Sequence, residues 1–169
     1  TMKNKGDSSI FSAVANEIES SGIRLIDQRQ YLGKILPEKG ILTKRKPSKD
    51  QSRDIEYGME LARKVSELDI GQTFVVKGQV ILAVEAIEGT DEAIRRGAKL
   101  CKGGAVVAKA SKSDQDFRFD VPTIGPDTID VLIESKASAL AIEFGRSFLI
   151  DRDLTLSKAD SAKMVIADI

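Results

Sequence analysis

The chain has 169 residues and 18.4 kDa, room for one domain with a sizeable core, since 41% of its residues are apolar and 31% charged. Its 26 Lys and Arg balance 26 Asp and Glu, so a strongly electrostatic nucleic-acid or membrane-surface binder is not the expected class. It has no histidine and a single cysteine, Cys101, which excludes Ser-His-Asp and Cys-His catalysis, two-histidine metal centres, thiolate zinc sites and any intrachain disulfide.

Chemistry in this chain must therefore use carboxylates, Lys and Arg, hydroxyls, backbone amides, or a hard cation held by oxygen. No run approaches the roughly 20 apolar residues of a membrane helix. The N-terminal residues Thr1 to Asp7 lack the apolar core of a signal peptide. A soluble, cytoplasmic chain is the expectation, and the opening Thr-Met reads as the edge of a fragment.

In chain order, Ile10, Phe11, Val14, Ala15 and Ile18 have helical spacing between Ser8 and Ser21 and predict one buried face, closed by Gly22. Residues 23–26 read as a short strand. The stretch from Gly33 to Lys49 holds Pro37, Pro47 and the basic run Lys44-Arg45-Lys46, and reads as an exposed crossing loop. That run could hold a pyrophosphate, or be no more than solvated charge.

Ser48-Lys49-Asp50-Gln51 matches a capping box. The helix it opens carries Ile55, Met59, Ala62 and Val65 on one face. Residues 73–76 and 79–84, joined by Lys77-Gly78, predict a β-hairpin with a tight turn at Gly78, and the all-apolar second strand suggests a central place in the sheet. After Glu88 to Asp91 a helix runs through about Leu100, with Ala93, Ile94, Gly97, Ala98 and Cys101 inward; Cys101 reads as a small core residue. Gly103-Gly104 turns into a strand ending at Lys109. Phe117-Arg118-Phe119-Asp120 alternates like a strand end. Gly125 and Pro126 suit the N-cap and first position of a helix with Ile129, Leu132 and Ile133 inward. Two short strands near 139–142 and 147–150, a helix near 156–162 and a strand at 164–166 complete an α/β pattern. The expected fold is a mixed β-sheet with flanking helices. Residues 1–169 form one domain, in which 1–50 lead in and 51–169 hold the main sheet and helices.

Two junctions could carry chemistry. At Glu88-Gly89-Thr90-Asp91 a strand gives way to a helix, where amides and the helix dipole favour phosphate; an ordinary N-cap with an acidic first turn fits the same residues. At Asp120-Val121-Pro122-Thr123-Ile124-Gly125 a strand-end Asp precedes a rigid turn, placed to ligate Mg2+ or take a proton from water; a turn Asp bonded to its own backbone fits as well. Lys109 could neutralise phosphate or only extend its ammonium into water. Neither a P-loop nor a Rossmann glycine fingerprint occurs.

Gly6-Asp7-Ser8, Leu68-Asp69-Ile70-Gly71-Gln72, Val84 to Asp91 with Arg95-Arg96, and Asp120 to Gly125, in that order and spacing, resemble the LpxI-type UDP-2,3-diacylglucosamine pyrophosphatases of lipid A biosynthesis. The resemblance runs from about Gly6 to the C-terminus and covers the C-terminal domain of a two-domain protein, without its Rossmann-like N-terminal domain. It implies hydrolysis of UDP-2,3-diacylglucosamine to UMP and 2,3-diacylglucosamine 1-phosphate (lipid X), supported by Mg2+, with substrate held between the domains. It places the catalytic and metal-binding role on Asp120. Guided by it, Glu88, Gly89, Thr90, Asp91, Arg95 (or Arg96), Lys109 and Thr123 are expected to bind substrate. The implied partners are the lipid substrate and the N-terminal domain, with peripheral contact to the inner membrane and a homodimer both open. The basic segment 44–49 departs from the family pattern. A non-catalytic ligand-binding or regulatory domain, or a hydrolase of another nucleotide-sugar pyrophosphate, would share these residues.

Overall fold

A computed structural model describes residues 7–169, with side chains from Phe11 onward. The element order is α1 (Asp7–Ser20), α2 (Arg29–Leu32), β1 (Gly40–Ile41), α3 (Lys49–Ser66), β2 (Thr73–Lys77), β3 (Val80–Val84), α4 (Thr90–Lys99), β4 (Val106–Lys109), β5 (Thr123–Ile124), α5 (Pro126–Glu134), β6 (Ala139–Ile142), β7 (Phe148–Leu149), α6 (Arg152–Ser161) and β8 (Val165–Asp168). Six strands form a mixed sheet in the order β1-β8-β6-β4-β2-β3. Strands β3, β4, β6 and β8 run in one direction; β1 and β2 run against them.

The period-2 alternation of the strands divides the core between two helical layers. Phe74, Val76, Val106, Ala108, Ala141 and Ala167 face α3, against Ile55, Met59 and Ala62. Val75, Ala83, Val107, Leu140, Ile142 and Ile166 face the other side, where Ile94 of α4 and Ile129 and Leu132 of α5 cover them. Small residues set the layer spacing. A Cβ on Gly58 of α3 would stand 2.9 Å from Ala108, and one on Gly97 of α4 would stand 2.6 Å from Val75. Ser48 and Gln51 form the expected reciprocal cap, and Gly125 with Pro126 opens α5.

Several expectations are corrected. The hairpin forms, but β3 is an edge strand; its apolar run reflects packing into both core clusters, with Ile81 on the cluster that holds α3 and Leu82 and Ala83 on the one that holds α4. Residues 23–26 form no strand, and Ile23 and Ile26 are exposed. This segment instead leads to Gln28, whose N–H donates to the Phe117 carbonyl and whose Nε2 donates to that of Arg118. Phe117 to Asp120 is a turn, not a strand end: Phe119 N and Asp120 N both donate to Asp116 O. The buried Phe117 mimics strand alternation because it lies between the guanidinium groups of Arg29 and Arg146. Helix α1 buries its stripe only in part: Ala15 is buried and Ile18 half-buried. Phe11 and Val14 are exposed, and Phe11 stacks on Phe119 at 6.3 Å; Ile10 lies outside the residues whose side chains are described. In α5, Val131 is buried and Ile133 exposed, and α6 begins four residues before the expected Leu156. A two-stranded parallel sheet, β5/β7, was not anticipated.

One polar residue sits in the core against expectation. Asp168, which ends β8, is 0% exposed, and neither of its carboxylate oxygens has a partner. Burial pushes its pKa up from 3.8 to about 7, with Lys39 opposing. A carboxyl raised in the folded state contributes stability fully below its unfolded pKa and loses it as pH rises through the folded one, here between about 4 and 7. The loss is of order 4 kcal/mol at 1.36 kcal/mol per unit. Asp168→Asn is therefore expected to raise the melting temperature at pH 8 and to flatten its fall between pH 4 and 7. Parallel wild-type and variant curves would contradict the account.

Candidate functional site

Strand parity assembles the site. Thr73, Glu85 and Lys109 continue the alternation of Val75, Ala83 and Val107, so all three reach the α4 side at one end of the sheet. Thr73 pairs with Lys109 across β2 and β4, and Glu85 N donates to Thr73 O at 2.8 Å. Above them starts α4, with Gly89 (φ 83°) as N-cap and Thr90 as first residue. Lys109 Nζ donates to Thr90 Oγ1 at 3.1 Å, and Thr90 Oγ1 donates to Glu85 Oε1 at 2.8 Å. Burial pushes the Lys109 ammonium below its ordinary pKa, opposed by Glu85, Asp120 and Asp91.

A cavity of about 620 Å3 opens over this end, walled by Gln72, Glu85, Gly89, Asp116 and Asp120. Its rim is apolar as well as acidic: Phe11, Ile70 and Ile87 are exposed there. Asp120 is exposed in the cavity wall. Gln115 Nε2 donates to its Oδ2 and to its carbonyl oxygen, each at 3.0 Å. Arg118 bonds both oxygens of Asp116 and holds that carboxyl below the usual range. The loop between β4 and β5 thus holds Asp120 in the cavity wall while Asp116 is already paired.

The expected residues are only partly brought together. Asp120 and Gly89 line the cavity, and Thr90 and Lys109 lie beside its Glu85 wall, with Asp91 acting on Lys109. Glu88 instead accepts from Arg96 and from Ala86 N, and the Arg96 hydrogen bond holds it below the usual carboxylate range. Arg95 pairs with Glu92, and Thr123 donates to the Val121 carbonyl; neither lines the cavity. The basic run lies at the opposite end of the sheet, where Arg45 borders a separate cavity of about 530 Å3 with Ser48, Lys77 and Ser138. Cys101 is half-buried against the core. Sequence reasoning missed Glu85, Thr73 and Gln115. Extending the strand alternation one step past Ala83 and Val75 would have found the first two.

Among the described residues no three His, Cys, Asp or Glu side chains converge to cage a metal. Mg2+ commonly takes only one or two carboxylates and completes its shell with waters and substrate phosphates, so Asp120 suits it as a protein ligand. The charge of the lining agrees, because Asp69, Glu85, Asp114, Asp116 and Asp120 outnumber Lys112 there and favour a cation.

Residues 38–167 match the family model of the LpxI C-terminal domain. Over 173 aligned positions the chain is 34% identical to the UDP-2,3-diacylglucosamine pyrophosphatase LpxI of Caulobacter vibrioides, covering 98% of this chain and 62% of that protein. The chain therefore spans less than two thirds of the length of the curated relative it matches.

Proposed function

The chain belongs to the LpxI family, matching its C-terminal domain, and from that premise we propose that it carries the catalytic carboxylate of a UDP-2,3-diacylglucosamine pyrophosphatase. Water cleaves the diphosphate to give UMP and 2,3-diacylglucosamine 1-phosphate (lipid X). The observation that carries this reading is the cavity with the exposed Asp120 in its wall, where the half-buried Lys109 and the start of α4 at Gly89 stand beside the Glu85 wall. Lys109 receives phosphate oxygens, and its charge is worth more in a desolvated wall than in water. Gly89 lets the substrate approach the main chain at the positive end of α4. Asp120 either takes the proton of the attacking water or holds Mg2+. Mg2+, when bound, neutralises diphosphate charge and makes the phosphorus more electrophilic. The apolar rim at Phe11, Ile70 and Ile87 suits the acyl chains.

The other partner is the N-terminal domain, which closes the cleft from the far side. Among the described residues no helix is long and apolar enough to cross a membrane; the protein works in the cytoplasm and meets its lipid at the inner membrane surface. The test is hydrolysis of UDP-2,3-diacylglucosamine by the full-length protein, with UMP and lipid X as products. The 169-residue chain alone is expected to turn over little or not at all, since a cleft with one wall missing cannot hold its substrate. Hydrolysis of unacylated nucleotide sugars in preference to the lipid would overturn the assignment.

A further inference from the structure

The hydrogen bonds around Thr90 have a direction. A hydroxyl has one proton, and that of Thr90 goes to Glu85 Oε1 at 2.8 Å, leaving a lone pair for the Lys109 ammonium at 3.1 Å. In this arrangement Thr90 has no proton to offer a phosphate. Lys109 keeps two N–H donors beyond the one given to Thr90. Glu85 is itself anchored: it is 7% exposed, its Oε2 accepts from Gln72 N at 3.4 Å, and its backbone packs directly on Gly71.

We propose that Glu85 is a positioning residue: its buried carboxylate fixes the Thr90 hydroxyl, and the pair aims the uncommitted Lys109 donors at an anionic oxygen of the substrate. The inference rests on the diphosphate reading above and adds to it a residue that acts through Lys109 without touching substrate. It also reassigns Thr90 from ligand to relay. Three carboxylates support the charge on Lys109: Glu85 from the end of β3, Asp120 from the β4–β5 loop and Asp91 from α4. Of these, Glu85 alone is buried and bonded to the relay. Burial works against the charged ammonium and Glu85 is first among the groups that oppose it.

The test uses the full-length protein. Glu85→Gln keeps the shape and an acceptor oxygen but removes the charge. It is expected to lower kcat/KM about tenfold at pH 8 and to move the alkaline limb of the pH profile down by roughly one unit, the scale of one lost neighbouring charge. In a Lys109→Arg background, whose guanidinium does not titrate, the same substitution moves no limb. Thr90→Val, which cuts the relay from the other side, lowers kcat/KM in the same direction. A uniform loss at every pH, or an equal limb shift in the Lys109→Arg background, would overturn the proposal. If the wild-type protein does not hydrolyse the lipid substrate, the functional reading falls, and the positioning role is read from the 13Cε resonance of Lys109. Its titration midpoint is expected to fall in Glu85→Gln, and an unchanged midpoint refutes the role.

Discussion

Asp120→Ala in the full-length protein is expected to lower kcat by at least a factor of about 100, the lower end of what a positioned acid–base group supplies, while substrate still binds. The side chain lies exposed in the cavity wall and is steadied by Gln115. Its backbone is held independently, through Asp120 N to Asp116 O and Gln115 to the Asp120 carbonyl. Truncation therefore removes a carboxylate from the cavity and leaves the loop in place, so melting temperature should change little. Because Asp120 is one of the carboxylates supporting the charge on Lys109, Asp120→Asn also lowers the pH at which that ammonium deprotonates. A kcat within a few-fold of wild type, with normal folding, would remove Asp120 from the chemistry.

Gly71→Ala is expected to damage both stability and activity. A Cβ at Gly71 would lie 2.0 Å from the Glu85 carbonyl oxygen and 2.6 Å from its carbonyl carbon. These are backbone atoms, and Glu85 N is tied to Thr73 O at 2.8 Å, so no flexible side-chain end can yield. Overpacking of this kind costs about 1–3 kcal/mol, or roughly 3–10 °C in melting temperature for a chain of this size. The forced movement also displaces the carboxylate that holds Thr90. Gly78→Ala is the control: nothing lies within 4 Å of its Cβ position, and only its left-handed backbone (φ 59°) resists the change. Calorimetry checks the pair. A Gly71→Ala protein as stable as wild type would contradict the close approach.

Those predictions depend on features with different visibility in the sequence. Ser48 and Gln51 announce the start of α3 because a capping box is local chemistry, and the structure forms it in full. The hairpin turn at Gly78 is local too. Rank within the sheet is not local. The Val80–Val84 run looks central because its residues pack into both core clusters, although its outer edge is open. Phe117 and Phe119 imitate a strand because one is sandwiched by guanidinium groups and the other meets Phe11 across the chain. The residues 23–26 have strand propensity but pair with no strand. Asp168 reads as an unremarkable polar residue near the end of the sequence, and only the pairing of β8 between β1 and β6 buries it.

The candidate site was legible at the two junctions, Glu88 to Asp91 and Asp120 to Gly125, since both follow from turn residues at element ends. What joins them was not. The contact depends on β2 pairing antiparallel with β4, which sets Thr73 opposite Lys109 and brings the end of β3 beneath α4. Glu88 and Arg95 matched the motif but found nearer partners: Arg95 pairs with Glu92 one turn back on its own helix, and Glu88, just ahead of α4, pairs with Arg96 of that helix.

The central claim is that the diphosphate rests between Asp120 and Lys109. The most direct measurement is a crystal structure of the full-length Asp120→Asn protein with UDP-2,3-diacylglucosamine bound. The account predicts phosphate oxygens within hydrogen-bond distance of Lys109 Nζ, the residue 120 side chain beside the scissile linkage, and the Gly89 amide facing the substrate. A diphosphate seated elsewhere, for example against Arg45 and Lys77 at the opposite end of the sheet, would contradict it.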